Sequence, residues 1–160
     1  TATAGFEAKD NGLIVATRNG GATGIFNRKT GNGDNLIFRK DNTTVGSISV
    51  TGSATSYNTS SDIRLKTDIE PIDHATDMLM AMNPVSHRWK ADPDADAVVG
   101  FIAQEMQEIV PEAVNGDADS DEMMAMDYGR ITPVLVAALQ EAISKIETLE
   151  TKVAALEAAN

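Results

Sequence analysis

From Pro133 to Asn160 no glycine and no further proline interrupts the chain. Proline is tolerated in the first turn of a helix, so this stretch predicts one long helix over about 133–160. Leu135, Leu139, Ala142, Ile146, Leu149, Val153 and Leu156 are separated by alternating steps of four and three, the seam of a left-handed coiled coil. Ile146 and Val153 take one core position, Leu149 and Leu156 the other, while Glu147, Glu150, Lys152 and Glu157 stay outside. A helix this polar is marginal alone in water. The seam therefore predicts assembly with partner helices. Packing against its own domain is the competing expectation, because only the last two heptads are strongly apolar.

A second constraint lies at Ser60-Ser61-Asp62-Ile63-Arg64-Leu65-Lys66, where the character of the chain changes. Nine of the twelve glycines precede it; all five prolines, all seven methionines, the tryptophan and both histidines follow. Residues 1–60 carry six Lys/Arg against four Asp/Glu (+2), and residues 61–160 carry seven against twenty (−13). With 160 residues the chain is long enough for one ordinary domain or two small ones. The shift predicts two, 1–60 and 61–160.

In the first part, Leu13–Thr17, Thr23–Phe26, Asn35–Arg39 and Thr43–Val50 read as short strands separated by turn residues. Each offers only two or three large apolar side chains, too few for an independent core at this length. Such a meander needs partners, either identical chains around a three-fold axis or further strands. Gly31-Asn32-Gly33-Asp34 resembles a phosphate loop only superficially, since no helix follows to supply an anion-binding N-terminus. It reads as turn chemistry.

In the second part, Asp73 is the expected N-cap of a helix with Ala75, Met78, Leu79 and Met82 on one face, closed by Asn83-Pro84. Val85–Lys90 and Val98–Ile102 read as strands. Ile102, Met106 and Ile109 predict a helix ending before Pro111, and Met123–Tyr128 one more short strand. The expected class is α+β.

Composition excludes several functions. The net charge of −11 argues against a nucleic-acid or anionic-membrane surface. The absence of cysteine removes disulfides and zinc–thiolate sites. No apolar run approaches the ~20 residues that span a bilayer. Thr1 is not an initiator methionine and nothing resembles a signal peptide, so the expectation is a C-terminal piece of a longer protein. The acidic clusters Asp92/Asp94/Asp96 and Asp117/Asp119/Asp121 alternate like calcium ligands. They lack the glycine and glutamate that an EF-hand loop requires, because Ala97 and Ala103, or Glu122 and Tyr128, stand there instead. Both read as solvated loops. No cofactor is implied, and His74 and His87 are not spaced as a metal pair.

Ser61 and Lys66 are the sharper pair. A serine hydroxyl becomes a nucleophile when a base removes its proton, and lysine is such a base only if burial or nearby positive charge disfavours its protonated form. Arg64 is a candidate source of that charge. On a straight helix a five-residue offset leaves two side chains about 140° apart, so they would not meet. Ser61 must lie before a helix or on a turn, or Lys66 must reach the serine of another chain. His87, two residues from Trp89 on one strand face, suits packing or support of a site.

Ser61-Asp62-Ile63-Arg64-Leu65-Lys66, Pro84-Val85 to Trp89-Lys90, Gly100-Phe101-Ile102-Ala103-Gln104-Glu105, Val110–Val114 and Asp127-Tyr128, followed by a terminal coiled coil, resemble in order the peptidase S74 family. Its members are C-terminal intramolecular chaperone domains of bacteriophage tailspikes, tail fibres and neck appendages. The resemblance covers residues 61–160. It implies a homotrimer whose residues 1–60 end a β-rich fibre, prism-like or β-helix-like, folded by the domain behind it. It implies self-cleavage of Ser60-Ser61 with Ser61 as nucleophile and Lys66 as base, supported by Asp62, Arg64 and His87. It places the parent in the virion, meeting a host receptor or polysaccharide, and the released chaperone in the host cytoplasm. The alternative keeps the fold as a permanent trimerisation module with a receptor-binding fibre tip. Membrane-bound transcription factors of the myelin regulatory factor type share the Ser-Lys domain, but their basic DNA-binding region and transmembrane helix have no counterpart in this sequence.

Overall fold

The computed structural model describes residues 5–8 and 12–159, so Asn160, the last residue of the expected coil, lies outside it. The chain divides into two compact units, Thr1–Ile69 and Glu70–Asn160.

The first unit is built from antiparallel strands. Strand β1 (Gly5–Ala8) pairs with β2 (Ile14–Thr17), and β3 (Gly33–Lys40), β4 (Thr43–Val50) and β5 (Thr55–Thr59) form a sheet in that order. Lys40 faces Thr43 across a two-residue turn in which Asp41 and Asn42 both take positive φ, 48° and 64°. That turn matches the twist of the flanking strands, and Asp and Asn are among the residues that tolerate it. The alternation of the strands sorts the side chains. Leu36, Ile48 and Tyr57 lie side by side across the three strands. On the other face the Ser47 hydroxyl donates to Asp34 Oδ1 at 2.7 Å, and the Asn58 amide donates to Ser47 Oγ at 3.1 Å and Ser49 Oγ at 2.8 Å. Gly46 is required between them, because a Cβ there would lie 2.6 Å from the Asn58 carbonyl oxygen.

Two strand expectations change. Residues 23–26 join no ladder; Ile25 and Phe26 are exposed, and the segment is held by the Asn35 amide donating to the Phe26 carbonyl at 2.6 Å. Thr55–Thr59, outside the expected strands, is a strand in which Tyr57 takes Ile48 on β4 as its cross-strand neighbour. Among the described residues of this unit none is buried.

The second unit is α+β. Helix α1 (Ala75–Ala81) is followed by strands β6 (Val85–His87) and β7 (Val98–Gly100), helix α2 (Ala103–Ile109), strands β8 (Val114–Asn115) and β9 (Ala125–Met126), and helix α3 (Thr132–Ala158). The strands pair antiparallel as β6 with β7 and β8 with β9. Its core comprises Met82, Met106, Val110, Ala113, Ile131 and Val134, with Met78, Leu79 and Phe101 packed against it. Of the face expected for the first helix, Ala75 and Met82 are buried and Met78 and Leu79 partly so; of that expected for the second, Met106 is buried and Ile109 partly buried, while Ile102, just before α2, is 41 % exposed. Met106 is 1 % exposed, so Met106→Ala is expected to destabilise this unit by about 2–5 kcal/mol, measured as a lower denaturation midpoint with an unchanged slope.

Gly100 also sits at a close approach. A Cβ would meet the Tyr128 hydroxyl at 2.9 Å, and that hydroxyl accepts from the Phe101 amide at 3.3 Å. The Gly100-Phe101 and Asp127-Tyr128 motifs, separate in the chain, are thus one contact in the fold.

The start of α1 differs from expectation. The N-cap is His74, in the left-handed region at φ 57°, and neither it nor Asp73 caps the helix with its side chain. The orphan donors go to Glu141 on α3, which accepts from the Ala75 and Thr76 amides at 3.1 Å each and from the Thr76 hydroxyl.

Helix α3 has two apolar faces. Ile131, just before it, and Val134 and Ala138 within it are buried in its own unit. Of the heptad residues, Leu135 lines a cleft of its own unit with Leu79, Met82 and Phe101, and Ala142 is partly buried. Leu139, Ile146, Leu149, Val153 and Leu156 are 51–66 % exposed. The competing expectation, that the seam packs on its own domain, therefore describes part of its first half and not its last two heptads.

Candidate functional site: the serine–lysine pair

Strand β5 ends at Thr59, and Ser60 is tied to the same ladder, its amide donating to the Val45 carbonyl at 3.2 Å and its hydroxyl to the Thr44 carbonyl at 3.4 Å. The chain then leaves the sheet. Asp62, extended at φ −66° and ψ 135°, caps a single 3-10 turn, Ile63–Leu65, and Lys66 is extended again. The Asp62 carboxylate accepts from the Arg64 amide at 2.9 Å, satisfying an orphan donor at the start of the turn. Its two oxygens also receive the Arg64 guanidinium, Nε to Oδ1 at 2.9 Å and Nη2 to Oδ2 at 2.6 Å. The Leu65 amide closes on the Asp62 carbonyl at 3.0 Å and the Lys66 amide on the Ile63 carbonyl at 3.1 Å.

One tight turn between two extended residues does what a straight helix cannot. It folds the chain back so that Lys66 Nζ donates to Ser61 Oγ at 3.0 Å. The pair forms within one chain, so no serine from another copy is needed for the contact. The Arg64 guanidinium holds the Asp62 carboxyl below its usual range, and Asp62 in turn raises Arg64. The charge of Arg64 is thereby spent on Asp62 rather than presented to Lys66.

Residues 61–74 are all exposed, including the aliphatic Ile63 and Leu65 that flank the pair, at 71 % and 65 %. A hydroxyl and an amine held in contact constitute the geometry of nucleophile and base. In a single chain they stand uncovered.

The other candidates lie in the second unit. His87 is on β6, edge-on to Trp89 with ring centroids 5.1 Å apart and planes at 87°. His74 faces Asp77 at 3.6 Å on the surface. The acidic loops are held by local contacts: the Asp119 amide donates to Asp117 Oδ1 at 3.0 Å, and Arg88 Nε to the Ala95 carbonyl at 2.9 Å. Among the described residues no three His, Asp or Glu side chains converge to hold a metal ion, and no helix is long and apolar enough to cross a membrane. Sequence reasoning did not single out Glu141 or Thr76, because the two lie 65 residues apart and no local pattern links them.

A strand unit thus ends in a serine–lysine contact, and an α+β unit whose last helix leaves most of its heptad residues exposed follows it. Residues 61–115 match the model of the peptidase S74 family, described as chaperone of endosialidase. The chain is 32 % identical over 87 residues to the long tail fibre protein Gp37 of Escherichia phage AR1, and 30 % identical over 97 residues to those of Enterobacteria phages K3 and T2. These alignments cover 51 % of the chain for AR1 and 58 % for K3 and T2. They span only 7–8 % of the relatives' own lengths.

Proposed function

We propose that this chain is a segment of a phage tail fibre carrying its own folding chaperone, which trimerises the chains and then severs itself from the fibre between Ser60 and Ser61. The observation that carries the reading is the 3.0 Å contact between Lys66 Nζ and Ser61 Oγ one residue beyond the last ladder hydrogen bond. Neutral Lys66 takes the proton from Ser61 Oγ as that oxygen attacks the Ser60 carbonyl carbon. The Ser60–Ser61 C–N bond breaks, the proton passes to the departing Ser61 nitrogen, and an ester links Ser60 to Ser61 Oγ. Water then hydrolyses the ester to a Ser60 carboxylate and a free Ser61 hydroxyl. Asp62 and Arg64 hold the turn that makes this possible, and His87 supports the folded domain.

The exposed seam of α3 favours the assembly half of the proposal. Three helices closing locally would bring three chains into register before the slower, non-local strand pairing of a fibre begins. Residues 12–60, none of them buried in one chain, gain cover against two others. Assembly also supplies what the isolated pair lacks. A surface closing over Ile63 and Leu65 removes water from Lys66 and so disfavours its protonated form. Removal of the chaperone leaves the fibre kinetically trapped. The parent fibre would act on the virion, meeting a host surface receptor or polysaccharide, and the cut domain would remain in the host cytoplasm.

Intact mass measurement of the purified chain tests the proposal. Two fragments, 1–60 and 61–160, are expected. A single 17.0 kDa species that persists in assembled material would instead favour a permanent trimerisation module.

A further inference from the structure

We infer that Glu141 is a latch that makes the first turn of α1 conditional on α3, so that the segment leading from the serine–lysine turn into the second unit is ordered only when the assembly helix is formed. The inference rests on the arrangement of caps. A helix leaves its first amides without partners, and a residue at its own N-cap normally accepts from them. At α1 that local solution is missing: His74 sits in the left-handed region with no side-chain cap. The acceptor comes instead from α3, where the Glu141 carboxylate takes the Ala75 amide on one oxygen and the Thr76 amide and hydroxyl on the other. Ala75 is fully buried beneath this contact. Being seven residues long, α1 has little helical stability of its own. Glu141 follows the buried Ala138 and precedes the exposed seam residues Ile146 to Leu156, so the carboxylate stands where the domain-facing part of α3 gives way to the assembly-facing part.

The charge around the latch sets its response to pH. The Thr76 hydroxyl first, then its amide, the Ala75 amide and the Lys145 ammonium hold the Glu141 carboxyl below its usual range, against an opposing desolvation. The neighbouring charged groups are His74 and Asp77 on the α1 end, paired with each other at 3.6 Å, Glu70 in the cleft shared with Glu141, and Lys145 on α3. A depressed carboxylate contributes stability that is complete above its ordinary pKa and is lost as the pH falls through the folded value. The latch therefore loosens only in acid, below the ordinary glutamate range.

Amide hydrogen exchange on the full chain carrying Ser61→Ala, verified as a single 17.0 kDa polypeptide by mass, tests this directly. At pH 7, Glu141→Ala is expected to lower the protection factors of the Ala75 and Thr76 amides at least tenfold. Those of Met106 and Val110, in the core, should change less than threefold. Glu141→Gln, which retains one carbonyl oxygen but no charge, and Thr76→Val should give smaller losses at the same two amides. Lowering the pH of the Ser61→Ala chain through and below the ordinary glutamate range should progressively bring on the Glu141→Ala pattern at the same two amides. Unchanged protection at Ala75 and Thr76, or an equal loss at Met106 and Val110, overturns the latch. Should Glu141→Ala fail to fold, the same two criteria applied to Glu141→Gln and Thr76→Val decide the matter.

Discussion

The Ser61→Ala chain is expected to remain one polypeptide of 17.0 kDa under conditions in which the unsubstituted chain yields fragments ending at Ser60 and beginning at Ser61. No other atom can form the ester, so the loss should be complete rather than partial. Lys66→Ala leaves the hydroxyl without its base and should slow cleavage by roughly 10²–10⁴-fold. Asp62→Ala acts one step further away: it removes the cap and the Arg64 anchor while leaving both reacting groups, and its effect should be intermediate. Rates followed by denaturing gel after assembly separate the three. Cleavage of the Ser61→Ala chain at the same bond would eliminate Ser61 as nucleophile, and a Lys66→Ala chain cut at the ordinary rate would eliminate Lys66 as base.

Paired substitutions on the α3 seam should have an effect of comparable size on assembly. Ile146→Asp with Val153→Asp places carboxylates at positions 54 % and 51 % exposed in one chain but enclosed once helices associate. An uncompensated charge in such a place costs about 3–5 kcal/mol. Placed in the uncut Ser61→Ala chain, the two substitutions are expected to lower the molar mass by light scattering from about three times 17.0 kDa to that of one chain. The fold of the second unit should persist, because its core uses Ile131, Val134 and Ala138 on the other stripe. With Ser61 in place, cleavage should fall with assembly, since nothing then covers Ile63, Leu65 and the Ser61–Lys66 pair on either side of them. An unsubstituted chain that is monomeric at every concentration would refute the seam's role, and a stable dimer would refute the three-fold fibre.

Much of this architecture can be read in order along the chain, because it depends on neighbours. The 4–3 spacing from Leu135 to Leu156, the stop at Asn83-Pro84 and the buried face of Ala75, Met78, Leu79 and Met82 are periodicities of a helix, and periodicity is local. The strand at Val98 and the motif from Gly100 to Glu105 are legible for the same reason. Thr23–Phe26 has the composition of a strand yet remains outside the ladders, while Thr55–Thr59 becomes one. Pairing is decided by which edge is available, and composition does not report that.

What the sequence alone determined is the list of parts: a glycine-rich strand region, an acidic α+β region, a long terminal helix with an apolar seam, and a serine and lysine five positions apart. Only the tertiary structure decided how the parts meet. It selected one 3-10 turn rather than a helix between Ser61 and Lys66, directed the charge of Arg64 to Asp62, and turned one stripe of α3 inward while leaving most of the seam in solvent. It also gave the cap of α1 to Glu141. The physical reason is common to all four. A hydrogen bond or ion pair between side chains depends on separations in space of a few ångströms, which the backbone fixes only after the elements have packed, whereas the propensity for each element is set by the few residues on either side of it.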